Sequence, residues 1–201
     1  MPTPITRPQG LLSWFASPRP GICPTLLAEK IMNADIRAVR LICRTAHSAI
    51  GRALAVNISK LGNGWLYLIL IAVVFFGRGS AGFRIVLLAG VNAAALHCLY
   101  PVIKRRFRRR RPFKLDPQLL PLLETLDEHS FPSGHAMTLS GVLVPVVLLW
   151  PSMTSSAIVM ICGMAWSRVA TAHHYPSDIL AGAVLGLGVG YPISAGLLAL
   201  W

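Results

Sequence analysis

The chain has 201 residues, of which 54% are hydrophobic and only 13% charged, with a mean hydropathy of +0.61 and a formal net charge of +12. Soluble domains carry roughly 25% charged residues, and disordered chains have low hydrophobicity, so the composition argues against both. Eight of the 19 basic residues lie at 104–114, which makes this an apolar chain with one dense cationic knot rather than a diffusely basic protein.

Residues 1–34 read as an N-terminal tail rich in Pro and Gly. Its longest apolar stretch, 11–16, falls short of the core of about 7–15 residues that a cleaved leader needs. From 35 to about 57 the spacing predicts a single basic amphipathic helix. Ile36, Val39, Cys43, Ala46 and Ile50 share one face; Arg37, Arg40, Arg44 and His47 share another. Such a helix suits a membrane interface, or a seat on its own protein. Crossing would bury Arg44 near mid-span at roughly 2.5–3.5 kcal/mol.

Five apolar segments follow, at 61–77, 85–103, 136–150, 155–166 and 179–201. A span takes about 17–25 residues, so the third and fourth reach that length only by continuing into their flanks. Trp65, Trp150, Trp166 and Trp201 stand near segment ends, as interfacial aromatics do. Gly182, Gly186 and Gly190 recur every fourth residue and read as a packing face for another backbone. The fold class is therefore an all-α polytopic membrane bundle of about five spans (six if 35–57 crosses), forming one domain over 35–201. Cys23, Cys43, Cys98 and Cys162 have no paired spacing and read as structural.

One hairpin of two spans separates segments 104–135 and 167–178, so both emerge on the same side of the membrane. The other side carries only short links. Lys104, Arg111 and Arg168 supply cations suited to phosphate oxygens. Ser133, Gly134 and His135 precede an apolar helix whose N-terminus favours an anion. His135 and His174 offer two imidazoles, and Asp178 stands four residues after His174, where a carboxylate can orient the ring and stabilise its cation. Together these make a phosphoryl-transfer site that needs no metal.

These residues resemble the type 2 phosphatidic acid phosphatase family, the membrane branch of a superfamily shared with vanadium haloperoxidases and bacterial acid phosphatases. The resemblance rests on three elements. Lys104 is followed after six residues by Arg111-Pro112; then comes Pro132-Ser133-Gly134-His135. Ser167-Arg168 is followed after five residues by His174 and after three more by Asp178. The pattern selects His174 over His173, because counting forward from His173 reaches Ser177, not a carboxylate. The resemblance implies that His174 attacks phosphorus, Asp178 orients it, and His135 protonates the leaving oxygen and then activates water. It implies that Lys104, Arg111, Arg168, Ser133 and the Gly134 backbone hold the phosphoryl oxygens, with no cofactor or metal. His173 is expected in the site wall.

The remaining arginines of the knot, Arg105, Arg106 and Arg108–Arg110, are expected to face lipid or solvent and to attract anionic lipids. A nucleic-acid role with Phe107 and Phe113 as stacking residues has nothing else in its favour. A metal at the histidines would be opposed by the cations beside them. His47, His97 and His129 read as structural; Glu124, Asp127 and Glu128 either offset the knot or sit in solvent. The expected substrate is a membrane lipid phosphate: a polyprenyl phosphate or diphosphate first, phosphatidic acid or phosphatidylglycerol phosphate next. A phosphotransferase would use the same residues, and a catalytically silent scaffold would tolerate substitutions that are not seen here. The expected home is a bacterial cytoplasmic membrane. Related proteins commonly have six spans and an outward site. Five spans would put the basic N-terminal region beside the site, and the positive-inside rule would then turn both to the cytoplasm.

Overall fold

The computed structural model describes residues 26–125 and 127–201, so Cys23 and most of the expected tail lie outside the described residues. Seven α-helices carry the described chain: α1 (Leu26–Arg44), α2 (Ala49–Leu61), α3 (Trp65–Arg78), α4 (Gly82–Phe107), α5 (Gly134–Leu149), α6 (Thr154–Ala170) and α7 (Pro176–Leu198).

The stretch expected as one helix over 35–57 is two. Thr45 to His47 form a turn, and Ser48 opens α2 by accepting the Gly51 N–H at 3.0 Å. The reversal is tight: a Cβ on Gly51 would stand 2.1 Å from the Thr45 carbonyl oxygen. Spacing showed the amphipathicity but not the break, because Ala46 and Ile50 continue the apolar periodicity across the turn.

Five apolar helices follow in the expected order. Three stretches are long and apolar enough to cross a membrane: Trp65–Phe107, which holds α3 and α4, then Pro151–Ala170 and Pro176–Leu198. α5 is a shorter apolar helix of 16 residues. α3 and α4 form a hairpin, since Gly82 at the start of α4 lies against Val74 near the end of α3. Directions follow from the contacts. Gly62, just before α3, touches His135 and Met164, whereas Gly77 at its other end meets the Trp150 ring. α3, α5 and α7 therefore start at the end of the bundle where α4 and α6 finish. α2 packs chiefly on the last turns of α6 there: Ser167 donates to the Ala55 carbonyl at 2.7 Å and Arg168 to Ser59 at 2.5 Å. α1 seals the same end, with Met32 and Val39 packed against Leu119, Ala172 and Tyr175. Both helices therefore make their contacts at the site end of the bundle.

α5 is the centre, buried without a break from Ala136 to Val146, as befits a helix apolar all round. Lipid tails are as apolar as leucine, so membrane helices associate through close packing and interhelical hydrogen bonds instead of the hydrophobic effect. α5 and α7 run parallel with backbones in contact. A Cβ on Gly182 would meet the Ser133 carbonyl at 2.6 Å, on Gly186 the Met137 carbonyl at 2.2 Å, and on Gly190 the Gly141 Cα at 3.0 Å. Asn92 of α4 ties this pair from the side, donating to the carbonyls of Gly141 (2.9 Å) and Gly190 (3.2 Å) and to Ser194 Oγ (2.9 Å). Gly186→Val is expected to lower the melting temperature sharply or abolish monodisperse protein in detergent. Gly188→Ala, with nothing within 4 Å of its added carbon, should leave melting unchanged; equal melting of the two variants would contradict the packing assignment.

Candidate active site

The cationic knot is sorted by backbone geometry. α4 ends at Phe107, and Arg108 turns the chain through the left-handed region at φ 49°. The next residues are extended: Arg110 bridges His129, and the Ser130 N–H donates to the Arg109 carbonyl at 2.8 Å. Side chains alternate along extended backbone, so Arg109 and Arg111 turn inward while Arg108 and Arg110 stay exposed. The expectation that Arg109 faces lipid or solvent is thereby corrected: it is only 6% exposed. Arg105, Arg106, Arg108 and Arg110 are exposed as expected.

Lys104 and Arg111 converge on one carboxylate. Lys104 Nζ donates to Asp127 Oδ2 at 2.6 Å and to the His129 carbonyl at 3.2 Å. Arg111 Nη2 donates to Asp127 Oδ1 at 2.9 Å. Of the three acids left open in the sequence, Asp127 thus offsets the knot, while Glu124 and Glu128 are exposed. Burial alone would raise the Asp127 carboxyl, but the hydrogen bonds and charges of Lys104 and Arg111 prevail and hold it below the usual carboxylate range. Burial also lowers the Arg111 guanidinium, and Asp127 only partly offsets this.

The link between α6 and α7 delivers the second group. Ala172 adopts φ 60°, and the N–H groups of His173 and His174 both donate to the Arg168 carbonyl at 3.2 Å. This tight turn aims the two imidazoles differently. His174 Nε2 lies 3.5 Å from Arg111 Nη1, and its Nδ1 faces Asp178 Oδ2 at 3.6 Å. That separation is just beyond hydrogen-bond length, as catalytic contacts often are without substrate. His173 instead joins its Nδ1 to the Thr171 carbonyl (2.8 Å) and tilts against Phe113, while its own carbonyl accepts from Arg111 at 2.9 Å. Burial, followed by the charges of Arg168, Arg111 and Lys104, drives the His174 imidazole well below its ordinary range. Burial and the same two arginines lower His173 to about 4. Both rings are neutral at pH 7, which leaves His174 a nitrogen lone pair.

Across the mouth, the N-terminus of α5 places Ser133, Gly134 and His135. Ser133 Oγ accepts the Ala136 N–H at 3.5 Å as the helix cap, and its own N–H donates to the Asp178 carbonyl at 3.0 Å, joining the starts of α5 and α7. His135 donates its Nε2–H to Asn63 Oδ1 at 2.8 Å. Arg168 donates to Ser59 and keeps its Nε–H without a partner among the described residues. The structure therefore brings Lys104, Arg111, Arg168, His135, His174 and Asp178 to one end. It also adds residues that sequence reasoning missed: Ser59, Asn63, Asp127, Arg109 and Asp35. Asp35 carried a signal as an acid on the apolar stripe of Met32, Ile36 and Val39, and Asp127 as one of three acids able to offset the knot.

A membrane-crossing helical bundle with clustered cations and two opposed imidazoles at one mouth defines an integral-membrane enzyme of phosphate chemistry. The chain belongs to the PAP2 superfamily, whose sequence model matches residues 85–199, and it is a membrane phosphatase of that group. It is 34% identical over 137 residues to a decaprenylphosphoryl-5-phosphoribose phosphatase of Mycobacterium tuberculosis, covering 63% of this chain and 68% of that protein. It is 28% identical over 140 residues to a lipid A 1-phosphatase of Rhizobium etli, covering 60% of each. In fold it resembles the crystal structure of a transmembrane PAP2-type phosphatidylglycerolphosphate phosphatase from Bacillus subtilis. That match has a TM-score of 0.63 at 23% identity and covers 86% of this chain and 88% of the other.

The lowered imidazoles have a consequence for stability. Between pH 6.5 and about 4, the unfolded chain binds a proton on His173 that the folded chain does not. Stability should therefore be fully present above about pH 6.5 and fall as the pH drops through that window. Thermal melting from pH 8 to 4 checks this; His173→Gln should flatten the slope, and an unchanged slope would contradict it.

Proposed function

We propose that the chain, as one membrane-embedded domain over residues 35–201, hydrolyses a phosphate from a membrane lipid through a phosphohistidine on His174. The observation that carries this reading is the two-sided setting of His174, with Nε2 toward the Arg111 cation and Nδ1 toward Asp178. The neutral Nε2 attacks phosphorus, forming the P–N bond as the bond to the leaving oxygen breaks. His135 gives that oxygen a proton and then takes one from the water that cleaves P–N. Asp178 stabilises the imidazolium formed on His174. Lys104, Arg111, Arg168, Ser133 and the Gly134 backbone carry the phosphoryl oxygens and the transition-state charge. Because the cations already supply that charge, no step calls on a metal.

A lipid substrate is supported by a mouth at the end of an apolar bundle and by relatives named for lipid phosphates. A polyprenyl phosphate or diphosphate is the preferred substrate, in keeping with the decaprenyl compound in the name of the mycobacterial relative. Purified His174→Ala, still folded, should lose phosphate release to background; His135→Ala should lose about 10²–10⁴-fold. Dialysis against chelator should leave wild-type release unchanged. Intact activity in His174→Ala would overturn the nucleophile, and loss restored by Mg²⁺ would overturn the metal-independent route.

The mouth is proposed to face the cytoplasm of a bacterial cell, with the exposed arginines of the knot meeting anionic lipid headgroups. α1 and α2 carry Lys30, Arg37, Arg40, Arg44, Arg52 and Lys60 at the site end, against Arg78 and Arg84 opposite, and short basic segments stay inside. A cysteine replacing exposed Gln118 in a cysteine-free background should react with an impermeant maleimide only after cells are opened. Labelling in intact cells would reverse the orientation.

A further inference from the structure

Arg109 is part of no phosphate-binding set, yet it is buried with partners on both terminal nitrogens. Its Nη1 donates to Asp178 Oδ1 at 2.6 Å and to Ser177 Oγ at 2.7 Å. Its Nη2 donates to Asp35 Oδ2 at 2.7 Å, and the guanidinium lies 4.0 Å over the Tyr175 ring. Nη2 also lies 3.8 Å from Met32 Sδ, so each terminal nitrogen of Arg109 has two partners and its fork is not free for a phosphate. Its charge is spent on two carboxylates. One belongs to α7 and faces the nucleophile; the other comes from α1.

We infer that Arg109 and Asp35 are positioning residues for the phosphoryl-transfer step, and that α1 completes the site by holding the carboxylate that orients His174. The two oxygens of Asp178 are divided. Oδ2 accepts the Tyr175 N–H at 2.9 Å and faces His174 Nδ1, while Oδ1 faces Arg109. The rotation of the carboxylate, and with it the direction of Oδ2, is therefore set by where Arg109 stands. Arg109 is in turn held from behind by Asp35, 74 residues earlier in the chain. Asp35 also accepts the Ser177 N–H at 3.1 Å and the Ser177 hydroxyl, so it fixes the first turn of α7, from which Asp178 projects. Asp35, Arg109 and Asp178 are all nearly fully buried. A charge so placed is costly unless paired, so removing Arg109 leaves Oδ1 without its cation and frees the carboxylate to turn. Asp35 lies outside the segment matched by the PAP2 superfamily, 85–199, and α1 supplies none of the proposed phosphate ligands. α1 thus reaches the carboxylate beside the nucleophile by two contacts of one residue, Asp35 with Arg109 and Asp35 with Ser177.

This inference rests on the proposed roles of His174 and Asp178. The test uses the full chain in detergent, with release of phosphate from short-chain phosphatidic acid in mixed micelles as the readout and melting temperature as the check on folding. Arg109→Gln is expected to lower kcat about 100-fold with KM within about threefold of wild type, a loss at the low end of acid–base and orienting effects. Asp35→Asn should lower kcat about tenfold, again without a matching change in KM. Arg109→Lys and Asp35→Glu should each recover part of the loss. The double variant should fall short of the product of the two single losses, since part of the Asp35 effect runs through Arg109. A folded Arg109→Gln with wild-type kcat overturns the inference, and so does a variant that loses only KM, which would make Arg109 a phosphate ligand. If Arg109→Gln does not fold, Asp35→Asn decides, and its wild-type kcat overturns the inference equally. His174→Ala separates the two levels. Activity there defeats the proposed function itself, whereas an inactive His174→Ala beside fully active Arg109 and Asp35 variants defeats only the positioning role.

Discussion

Four cations, Lys104, Arg109, Arg111 and Arg168, are buried at one end of an apolar bundle, and that crowding constrains everything around them. Buried like charges repel and are costly to desolvate, so each needs a partner. Three carboxylates answer: Asp127 between Lys104 and Arg111, and Asp35 and Asp178 on either side of Arg109. Arg168 has a hydroxyl partner and no ion pair among the described residues. Among the described residues the cluster is short of negative charge, a setting that favours an anionic group. Burial first, and then the charges of Arg168, Arg111 and Lys104, keep His174 neutral, so the crowding that favours an anion also leaves a neutral imidazole beside it.

That imbalance is tolerable only because the frame is rigid. α5 and α7 start side by side at the mouth, with the Ser133 N–H bonded to the Asp178 carbonyl and the glycines of α7 pressed on the α5 backbone. The element holding His135 and the element holding Asp178 therefore cannot drift apart. Asn92 spans both from α4, whose far end supplies Lys104. Packing in the middle of the bundle fixes distances at its mouth.

The division of labour within the knot is a matter of backbone direction. Eight basic residues in one run look alike in sequence. The left-handed turn at Arg108 and the pairing of Arg110 with His129 decide that Arg109 and Arg111 point inward. Arg111 then meets the proposed phosphate site, and Arg109, two residues away on the same side of the strand, meets the carboxylate behind it.

Much of this was legible in one dimension. Apolar run lengths specify five helices, since the width of a membrane is a local constraint on each segment. The i,i+4 relation of His174 to Asp178 and the glycine period of α7 follow from helix geometry alone. Asp35, Ser59, Asn63 and Asp127 were not legible as site residues. Their partners Arg109, Arg168, His135, and Lys104 with Arg111 stand 74, 109, 72, and 23 and 16 residues away, and spacing carries no information about pairing at such range. The inward turn of Arg109 was likewise settled at a distance, by the pairing of Arg110 with His129. The sequence by itself determined a membrane bundle, its clustered cations and its two imidazoles, because periodicity and short spacing are local. Only the tertiary structure decided which charges are buried and which carboxylate holds each one, because desolvation and pairing depend on what packs above a residue, not on what precedes it.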